Sequence, residues 1–167
     1  DLSCGASPTF PYLSARSILL PAAGADQEKP SWNNSSKTRL GGQSADIIQA
    51  INMALVEEME RDERVILIGE DVEASIFGDT RGLLERFGPR RVRNTPISEQ
   101  TLTGMAVGAA ASGYRIVLHM MFANFIYTGF DAIANQMAKL RLMTGGQLSL
   151  PLTVIANYGA GRSTAAQ

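Results

Sequence analysis

A single carboxylate, Glu99, lies at the start of a predicted helix and is the strongest candidate for chemistry in this chain. Pro96 disfavours helical angles at Thr95, and Ser98 is a good N-cap residue, so the helix should begin near Ser98 and end near Gly113. Glu99 then lies in the first turn. Acids at this position commonly complement the helix dipole, which contributes about 0.3–1 kcal/mol, so the spacing alone does not establish a catalytic role.

Small residues follow Glu99 along the same predicted helix. They are Gly104, Ala106, Gly108, Ala109, Ala110 and Ala111. Because these side chains are short, a neighbouring backbone or a flat ligand could approach the helix closely. The sequence is therefore compatible with a narrow site beside Glu99.

Strands and helices alternate along the chain on both sides of this helix. Ile47, Ile48, Ile51 and Leu55 recur at helical spacing from Ser44 onward, which predicts an amphipathic helix. Strands are predicted at 65–68, 115–121 and 152–155, and a brief extended piece at 92–94 before the Pro96 turn. Further helices are predicted at 80–87 and 129–143. Such alternation predicts an α/β fold, a parallel sheet with helices on both faces, in which ligands bind at the carboxyl ends of the strands.

Composition excludes several classes of function. The chain has 167 residues, of which 45% are hydrophobic and 19% charged, and its formal net charge of -1 gives no electrostatic case for binding nucleic acid or an anionic membrane. Cys4 is the single cysteine and His119 the single histidine, so neither a disulfide framework nor a zinc site is expected. No apolar run approaches the ~20 residues needed to span a bilayer, so no membrane insertion is expected.

Familiar catalytic and nucleotide-binding motifs are missing from the sequence. It contains no GxxxxGK[ST] phosphate loop, no GxGxxG after the first predicted strand and no GxSxG nucleophile elbow. The Gly-rich stretch at 158–162 carries one arginine and is weak evidence for a ligand. Serine hydrolase chemistry is disfavoured, since Ser98 has no neighbouring histidine to act as its base.

Residues 1–43 differ in composition from the rest of the chain. Ser, Ala, Pro, Gly and Asn dominate this segment, which predicts a low-complexity, poorly ordered extension before a domain at 44–167. Arg16 is the only basic residue before Lys29, whereas organellar transit peptides are Arg-rich, so the case for a targeting peptide is weak.

Five blocks of sequence, taken together and in order, carry a resemblance to a known family. They are Gly69-Glu70-Asp71, Thr95-Pro96-Ile97-Ser98-Glu99, Gly104 with Gly108-Ala109-Ala110, Met121-Phe122-Ala123-Asn124-Phe125, and Met143-Thr144-Gly145-Gly146-Gln147. They resemble the beta subunit of the thiamine-diphosphate-dependent decarboxylating component of 2-oxo acid dehydrogenase complexes, of the pyruvate, branched-chain and acetoin types. The resemblance covers 44–167 and implies a transketolase-type pyrimidine-binding domain that is incomplete, without the end of the domain or the carboxyl-terminal domain.

The resemblance implies roles for five residues. Glu99 would contact the ring nitrogen of the cofactor's aminopyrimidine and favour the imino tautomer, which promotes loss of the thiazolium proton. Phe125 would stack on the aminopyrimidine, with Met121 and Ile97 completing an apolar pocket. Glu70 would lie behind the residues that touch the cofactor and join a polar relay between active sites. Without the motif context, the three apolar residues would be ordinary core residues.

The sequence departs from the family at several positions. His119 replaces a frequent acid, Ile116 a frequent proline and Leu142 a frequent tyrosine. A histidine on an apolar strand is more often held by a hydrogen bond than used as a proton shuttle, so His119 is not expected to be catalytic. In the family a functional histidine follows directly after the position of Gln167, where this sequence stops.

The family resemblance also implies a cofactor and partners. Thiamine diphosphate would bind with its magnesium held mainly by an alpha subunit, and the acyl group would pass to a lipoyl-bearing acyltransferase. The chain alone is predicted to be inactive, and its location to be the bacterial cytoplasm, with the mitochondrial matrix or plastid as alternatives. Two other hypotheses stay open: a non-catalytic assembly module, and another transketolase-type enzyme, against which the 143–147 block argues. The identity of the 2-oxo acid is not encoded in the matched residues.

Overall fold

The computed structural model describes residues 38–40 and 43–158. The predicted extension at 1–43 thus lies almost wholly outside the described residues, as does the end of the predicted domain after Tyr158. The first described elements are two short antiparallel strands, β1 (Thr38–Leu40) and β2 (Gln43–Ala45), in which Thr38 pairs with Ala45.

The centre of the fold is a parallel sheet of four strands. These are β3 (Val65–Gly69), β4 (Val92–Asn94), β5 (Arg115–Phe122) and β6 (Leu152–Asn157), in the order β4-β3-β5-β6. Every neighbouring pair in the sheet is parallel. The predicted parallel α/β architecture is confirmed, and the strands begin at the residues expected from their apolar runs.

One face of the sheet packs against α1 (Ile47–Arg61) and α2 (Leu83–Phe87). Asp46 begins α1 with a capping box, in which its carboxylate accepts the Gln49 N–H at 2.7 Å and the Gln49 side chain accepts the Asp46 N–H. The core on this face is a cluster of buried apolar side chains: Leu55, Met59, Val65, Leu67, Val72, Leu83, Val92 and Val117. Ile47 and Ile48, by contrast, are exposed among the described residues.

The opposite face packs against α3 (Glu99–Ala111). Leu102, Ala106 and Ala110 of this helix are buried against Ile68, Ile116, Leu118 and Met120 of the sheet. Because successive residues of a strand point to opposite faces, β3 and β5 contribute to both clusters, and the continuous apolar runs of the sequence are explained. Helices thus cover both faces, as predicted.

Two predicted helices differ from the structure. The helix predicted at 80–87 begins only at Leu83, because Gly82 takes the left-handed conformation (φ 75°) and interrupts the helical path. The continuous helix predicted at 129–143 is wrong. A π-helix at Ala132–Met137 and a short helix, α4, at Leu140–Met143 replace it, and a 3₁₀ helix at Ala123–Tyr127 precedes them.

In the π-helix, each backbone hydrogen bond spans one residue more than in an α-helix. The Ala138 N–H donates to the Ile133 carbonyl, five residues back, at 3.0 Å. The apolar periodicity of the sequence could not indicate this wider turn. Single π-turns often occur near functional sites, and this one follows the carboxyl end of β5. No helix in the described part of the chain is both long and apolar enough to cross a membrane.

Gly69 and Gly104 provide a matched test of the packing. A Cβ added at Gly69 would lie 2.5 Å from the His119 carbonyl oxygen, whereas one at Gly104 would meet nothing within 4 Å. We expect Gly69→Ala to destabilise the chain by about 1–3 kcal/mol through overpacking. Gly104→Ala should stabilise it by about 0.5–1 kcal/mol, since alanine favours a helix interior. Urea unfolding followed by circular dichroism measures both, and equal effects would contradict the packing described here.

Candidate functional site

The carboxyl ends of three neighbouring strands, β3, β4 and β5, lie side by side, and the segments that follow them begin there. Gly69, near the end of β3, pairs with Asn94 of β4 on one side and with His119 of β5 on the other. The Thr95 N–H donates to the Gly69 carbonyl at 3.0 Å, which fixes the start of the loop leading to Glu99. Since ligands of open α/β sheets bind outside the carboxyl ends of the strands, this edge is the candidate site.

Glu70 and Glu99 come together at the amino end of α3. Ser98 is the N-cap residue, but its side chain makes no capping bond and contacts the Thr101 hydroxyl instead, at 2.9 Å. The Ser98 N–H donates to Oε1 of Glu70 at 3.3 Å. The structure therefore places Glu70 beside the first turn of α3, which carries Glu99.

The two carboxylates interact unfavourably, and Glu70 is the more deeply buried. Only 6% of Glu70 is exposed. Burial raises the pKa of its carboxyl group, the negative charge of Glu99 raises this pKa further, and the Ser98 N–H opposes the shift. Glu70 is thus a group whose environment favours the protonated form, next to a second acid.

Glu99 is half-buried, and its backbone is held by a hydrogen bond. Its carbonyl accepts a hydrogen bond from the Thr103 hydroxyl at 2.8 Å. Within the described ranges, its carboxylate has no hydrogen-bonding partner. An acid presented in this way can bind a donor supplied by a ligand.

Met121 lies in a distorted part of β5. Its φ of 53° is in the left-handed region, which costs a residue with a Cβ about 1–3 kcal/mol. The register between β5 and β6 shifts between His119 and Phe122, so Met121 lies in a bulge. Asp71 and Ser75, which follow β3 at the same edge, also have positive φ. Backbone strain is concentrated at the candidate site.

Phe125 is half-buried in the 3₁₀ helix after β5 and belongs to a group of aromatic rings. Its ring meets that of Phe122 edge-on at 5.6 Å, and Phe122 meets Phe77 edge-on at 5.2 Å. Phe77 stacks on the His119 imidazole at 5.8 Å. Such contacts stabilise the orientation of each ring, so Phe125 has a supported position.

A close backbone contact joins the segment after Phe125 to the first turn of α3. A Cβ added at Gly129 would lie 2.7 Å from the Thr103 side chain and 3.1 Å from the Glu99 carbonyl. Only glycine can occupy this position without displacing the helix. The contact keeps the 3₁₀ helix of Phe125 beside the turn of Glu99.

Ile97 lies in the loop between β4 and α3 and is 83% exposed. The described residues do not enclose it, so its predicted role in an apolar pocket depends on groups outside them.

His119 has the satisfied hydrogen bonds expected of a structural histidine, with its Nε2 atom 2.9 Å from Oδ2 of Asp79. Asp79, Phe77 and Phe122 were not predicted to contribute. The sequence shows only that Asp79 is an acid after β3 and that His119 is a histidine on β5, and neither fact indicates that the two side chains meet.

A separate groove of about 980 Å³ lies between α3 and the β4 edge of the sheet. Its lining includes Ile68, Met105 and Arg93, but not Glu99, Met121 or Phe125. The groove thus reaches the loop before α3 through Asn94, Thr95 and Ser98, but it does not include the side chains predicted to contact the cofactor. No group of three or more His, Cys, Asp or Glu side chains suited to a metal occurs in the described part of the chain.

Comparison with known families assigns the domain. The model of the transketolase pyrimidine-binding domain matches residues 43–167, which is most of the chain. The chain belongs to this family. The predicted resemblance is thereby confirmed at the level of the domain.

The similar proteins include beta subunits of three dehydrogenases or oxidoreductases. The chain is 44% identical over 116 residues to the 2-oxoisovalerate dehydrogenase subunit beta of Bacillus subtilis, covering 68% of this chain and 36% of that protein. It is 44% identical over 132 residues to the acetoin:2,6-dichlorophenolindophenol oxidoreductase subunit beta of the same organism, covering 71% and 39%. It is 41% identical over 120 residues to the pyruvate dehydrogenase E1 component subunit beta of Staphylococcus epidermidis, covering 71% and 37%.

The pyrimidine-binding domain described here thus spans little more than a third of each of these relatives. Their names match the three types of complex that the sequence blocks indicated. A solved structure described as "Split gene transketolase, inactive beta4 tetramer" is 24% identical, covering 65% of this chain and 32% of that chain, with a TM-score of 0.49. This score is too low to bear on the assignment.

The raised pKa of Glu70 generates a prediction about stability and pH. A carboxyl group whose pKa is higher in the folded state favours folding at low pH, and this contribution is lost as the pH rises through the folded pKa. Glu70→Gln keeps an acceptor for the Ser98 N–H and removes the charge. It should therefore raise the urea midpoint at pH 7, and the gain should vanish below pH of about 4.3, the ordinary pKa of glutamate.

Glu57→Gln is the matched control, because Glu57 is exposed on α1. Its urea midpoint should follow that of the unmodified chain across the pH range. A Glu70→Gln variant that is less stable at pH 7 and more stable at pH 4 would contradict the assigned direction.

Proposed function

We propose that this chain provides the aminopyrimidine half of a thiamine diphosphate site in the beta subunit of a 2-oxo acid dehydrogenase. The observation that carries the proposal is the Glu99 carboxylate, which has no hydrogen-bonding partner in the described residues and lies beside buried Glu70 at the amino end of α3. The domain family and the beta-subunit relatives support it.

The residues at the sheet edge fit an aminopyrimidine ring in their chemistry. Glu99 offers an acid to a ring nitrogen, Phe125 offers an aromatic face, and Met121 and Ile97 offer apolar atoms. A flat heteroaromatic group with one basic nitrogen needs this combination of one charge and several apolar surfaces. The diphosphate and its magnesium would be held mainly by an alpha subunit.

Thiamine diphosphate would supply the nucleophilic carbon and the electron sink for decarboxylation. The chain's own residues would control a proton at the pyrimidine nitrogen. Glu99 would make the direct contact, and Glu70, whose raised pKa favours its protonated form, would hold a proton next to it. In the assembled protein Glu70 would also join a polar relay between active sites.

The partners follow from the same proposal. An alpha subunit would complete the cofactor site, and a lipoyl-bearing acyltransferase would receive the acyl group. The chain by itself is predicted to be inactive, since the residues described contain no diphosphate-binding motif. The named relatives are bacterial, which favours a cytoplasmic location within this proposal.

The first test removes the acid that the proposal places on the cofactor. A full-length beta subunit carrying this sequence, combined with an alpha subunit, should decarboxylate a 2-oxo acid in a thiamine-diphosphate-dependent reaction. Glu99→Gln should lower kcat by about 10²–10⁴-fold, the range expected for loss of acid-base catalysis. Carbon dioxide release is measured, with Glu57→Gln as an active control. Near-normal turnover by Glu99→Gln would refute the role of Glu99.

The second test removes the aromatic face. Phe125→Ala should weaken thiamine diphosphate binding by about tenfold or more, as expected for loss of an aromatic contact worth roughly 1.4 kcal/mol. Calorimetry on the chain with an alpha subunit measures the affinity. Phe87→Ala is the matched control, because Phe87 packs in the core on the α1 face, before the start of β4. It should lower stability without a specific loss of cofactor binding.

The same calorimetry distinguishes a non-catalytic assembly module from an enzyme subunit. Association with the alpha subunit, combined with no saturable binding of thiamine diphosphate, would support the assembly module. Saturable binding that Phe125→Ala weakens supports the cofactor site.

A further inference from the structure

A buried hydrogen-bonded pair of side chains lies next to the candidate site. Asp79, in the loop after β3, and His119, on β5, are each 2% exposed, and Oδ2 of Asp79 is 2.9 Å from Nε2 of His119. Forty positions separate them in the sequence. The proposed function assigns no role to either residue. Buried polar pairs add little net stability compared with apolar residues of similar volume, so their presence suggests a geometric purpose.

The hydrogen bonds of His119 define its tautomer. The Met121 N–H donates to Nδ1 of the imidazole at 3.2 Å, so Nδ1 must carry a lone pair. The ring hydrogen is then on Nε2 and is donated to the Asp79 carboxylate. Asp79 therefore selects the tautomer that can accept from Met121, in the way that a carboxylate orients a histidine in many sites.

The hydrogen bond from the Met121 N–H to His119 occurs where the pairing of β5 with β6 becomes irregular. Met121 has a left-handed φ of 53°, and the β5–β6 register shifts between His119 and Phe122. The imidazole accepts the Met121 N–H at this interruption. It thereby stabilises a backbone conformation that a residue with a Cβ rarely adopts.

The same imidazole supports the aromatic rings that lead to Phe125. Phe77 stacks on His119, Phe122 packs edge-on against Phe77, and Phe125 packs edge-on against Phe122. His119 thus contacts Met121 directly through a hydrogen bond and is linked to Phe125 through the rings of Phe77 and Phe122.

We propose that Asp79 and His119 are positioning residues that hold the Met121 bulge of β5 and the adjoining rings in the geometry required at the aminopyrimidine site. Asp79 fixes the imidazole, and the imidazole fixes the backbone at Met121. Only the consequence for cofactor binding rests on the proposed function. The hydrogen-bonded arrangement itself can be tested without any ligand.

The first experiment reads the tautomer of His119. The chain has one histidine, so in a sample labelled with [15N]histidine every imidazole signal belongs to His119. At pH 8 we expect one protonated nitrogen, Nε2, and one unprotonated nitrogen, Nδ1. A hydrogen on Nδ1, or an averaged mixture of both tautomers, would overturn the proposal, because Nδ1 could not then accept steadily from Met121.

The second experiment compares two double variants that both remove the charge at position 79. Asp79→Asn/His119→Asn keeps an acceptor near the Met121 N–H, since asparagine can accept from the backbone two residues further on. Asp79→Asn/His119→Phe keeps a ring against Phe77 and removes the acceptor. The phenylalanine variant therefore lacks the hydrogen bond to Met121, the asparagine variant lacks the ring against Phe77, and neither leaves a buried carboxylate unpaired.

Amide hydrogen exchange of [15N]methionine-labelled protein gives the readout. The Met121 signal is assigned by its loss in Met121→Leu, and the buried Met59 serves as internal reference. In the phenylalanine variant, exchange at Met121 relative to Met59 should be at least about fivefold faster, and the asparagine variant should recover most of this protection. Equal protection of Met121 in both variants would overturn the proposal. If the phenylalanine variant fails to fold, the measured tautomer of His119 decides whether the proposal stands.

Thiamine diphosphate titration of the same variants with an alpha subunit tests the link to the site. The phenylalanine variant should bind the cofactor at least about fivefold more weakly than the unmodified chain. An affinity equal to that of the unmodified chain would overturn the link. If the unmodified chain itself binds no cofactor, the proposed function fails, whereas the tautomer and exchange results still decide the role of Asp79 and His119.

Discussion

The register of the sheet at Gly69 is the constraint on which the site depends. Gly69 pairs with Asn94 on one side and His119 on the other, and its missing Cβ allows the His119 carbonyl to lie where a side chain would otherwise be. This close approach aligns the ends of three strands. Glu70, the loop to Glu99 and the Met121 bulge then emerge next to one another. A shift of one residue in this register would turn the side chains of the strand to the opposite face and move the segments that follow it out of alignment.

The site combines several features that reduce stability. Two acids are held near each other, one of them buried, and three residues other than glycine at this edge have positive φ. Burial and like charge oppose ionisation of Glu70, and no compensating cation contacts it within the described residues. Such features are typical of functional sites, where surrounding packing maintains an unfavourable arrangement. Here the two apolar clusters on either face of the sheet provide that packing.

The fold was predictable from local patterns, because β3 is a continuous apolar run, β5 and β6 are mostly apolar, and the covering helices α1 and α3 have an amphipathic and a small-residue pattern. The start of α3 at Glu99 followed from Pro96 and Ser98. The π-helix at Ala132–Met137 was not predictable, since its extra residue per turn depends on packing rather than periodicity. Likewise, Ser98 was predicted to cap α3 with its side chain, but that side chain turns to Thr101.

Asp79 and His119 show why part of the site is invisible to the sequence alone. Each is an ordinary residue in its local context, and their pairing depends on a loop that folds back across forty positions. The Met121 bulge has no glycine or asparagine to mark it, so no local signal indicates its left-handed backbone. The conformation is stable because the imidazole accepts the N–H that the interrupted ladder leaves available. Motif matching can therefore single out Glu99 and Phe125 as candidates, whereas the groups proposed to orient the site become apparent only when the strands are assembled.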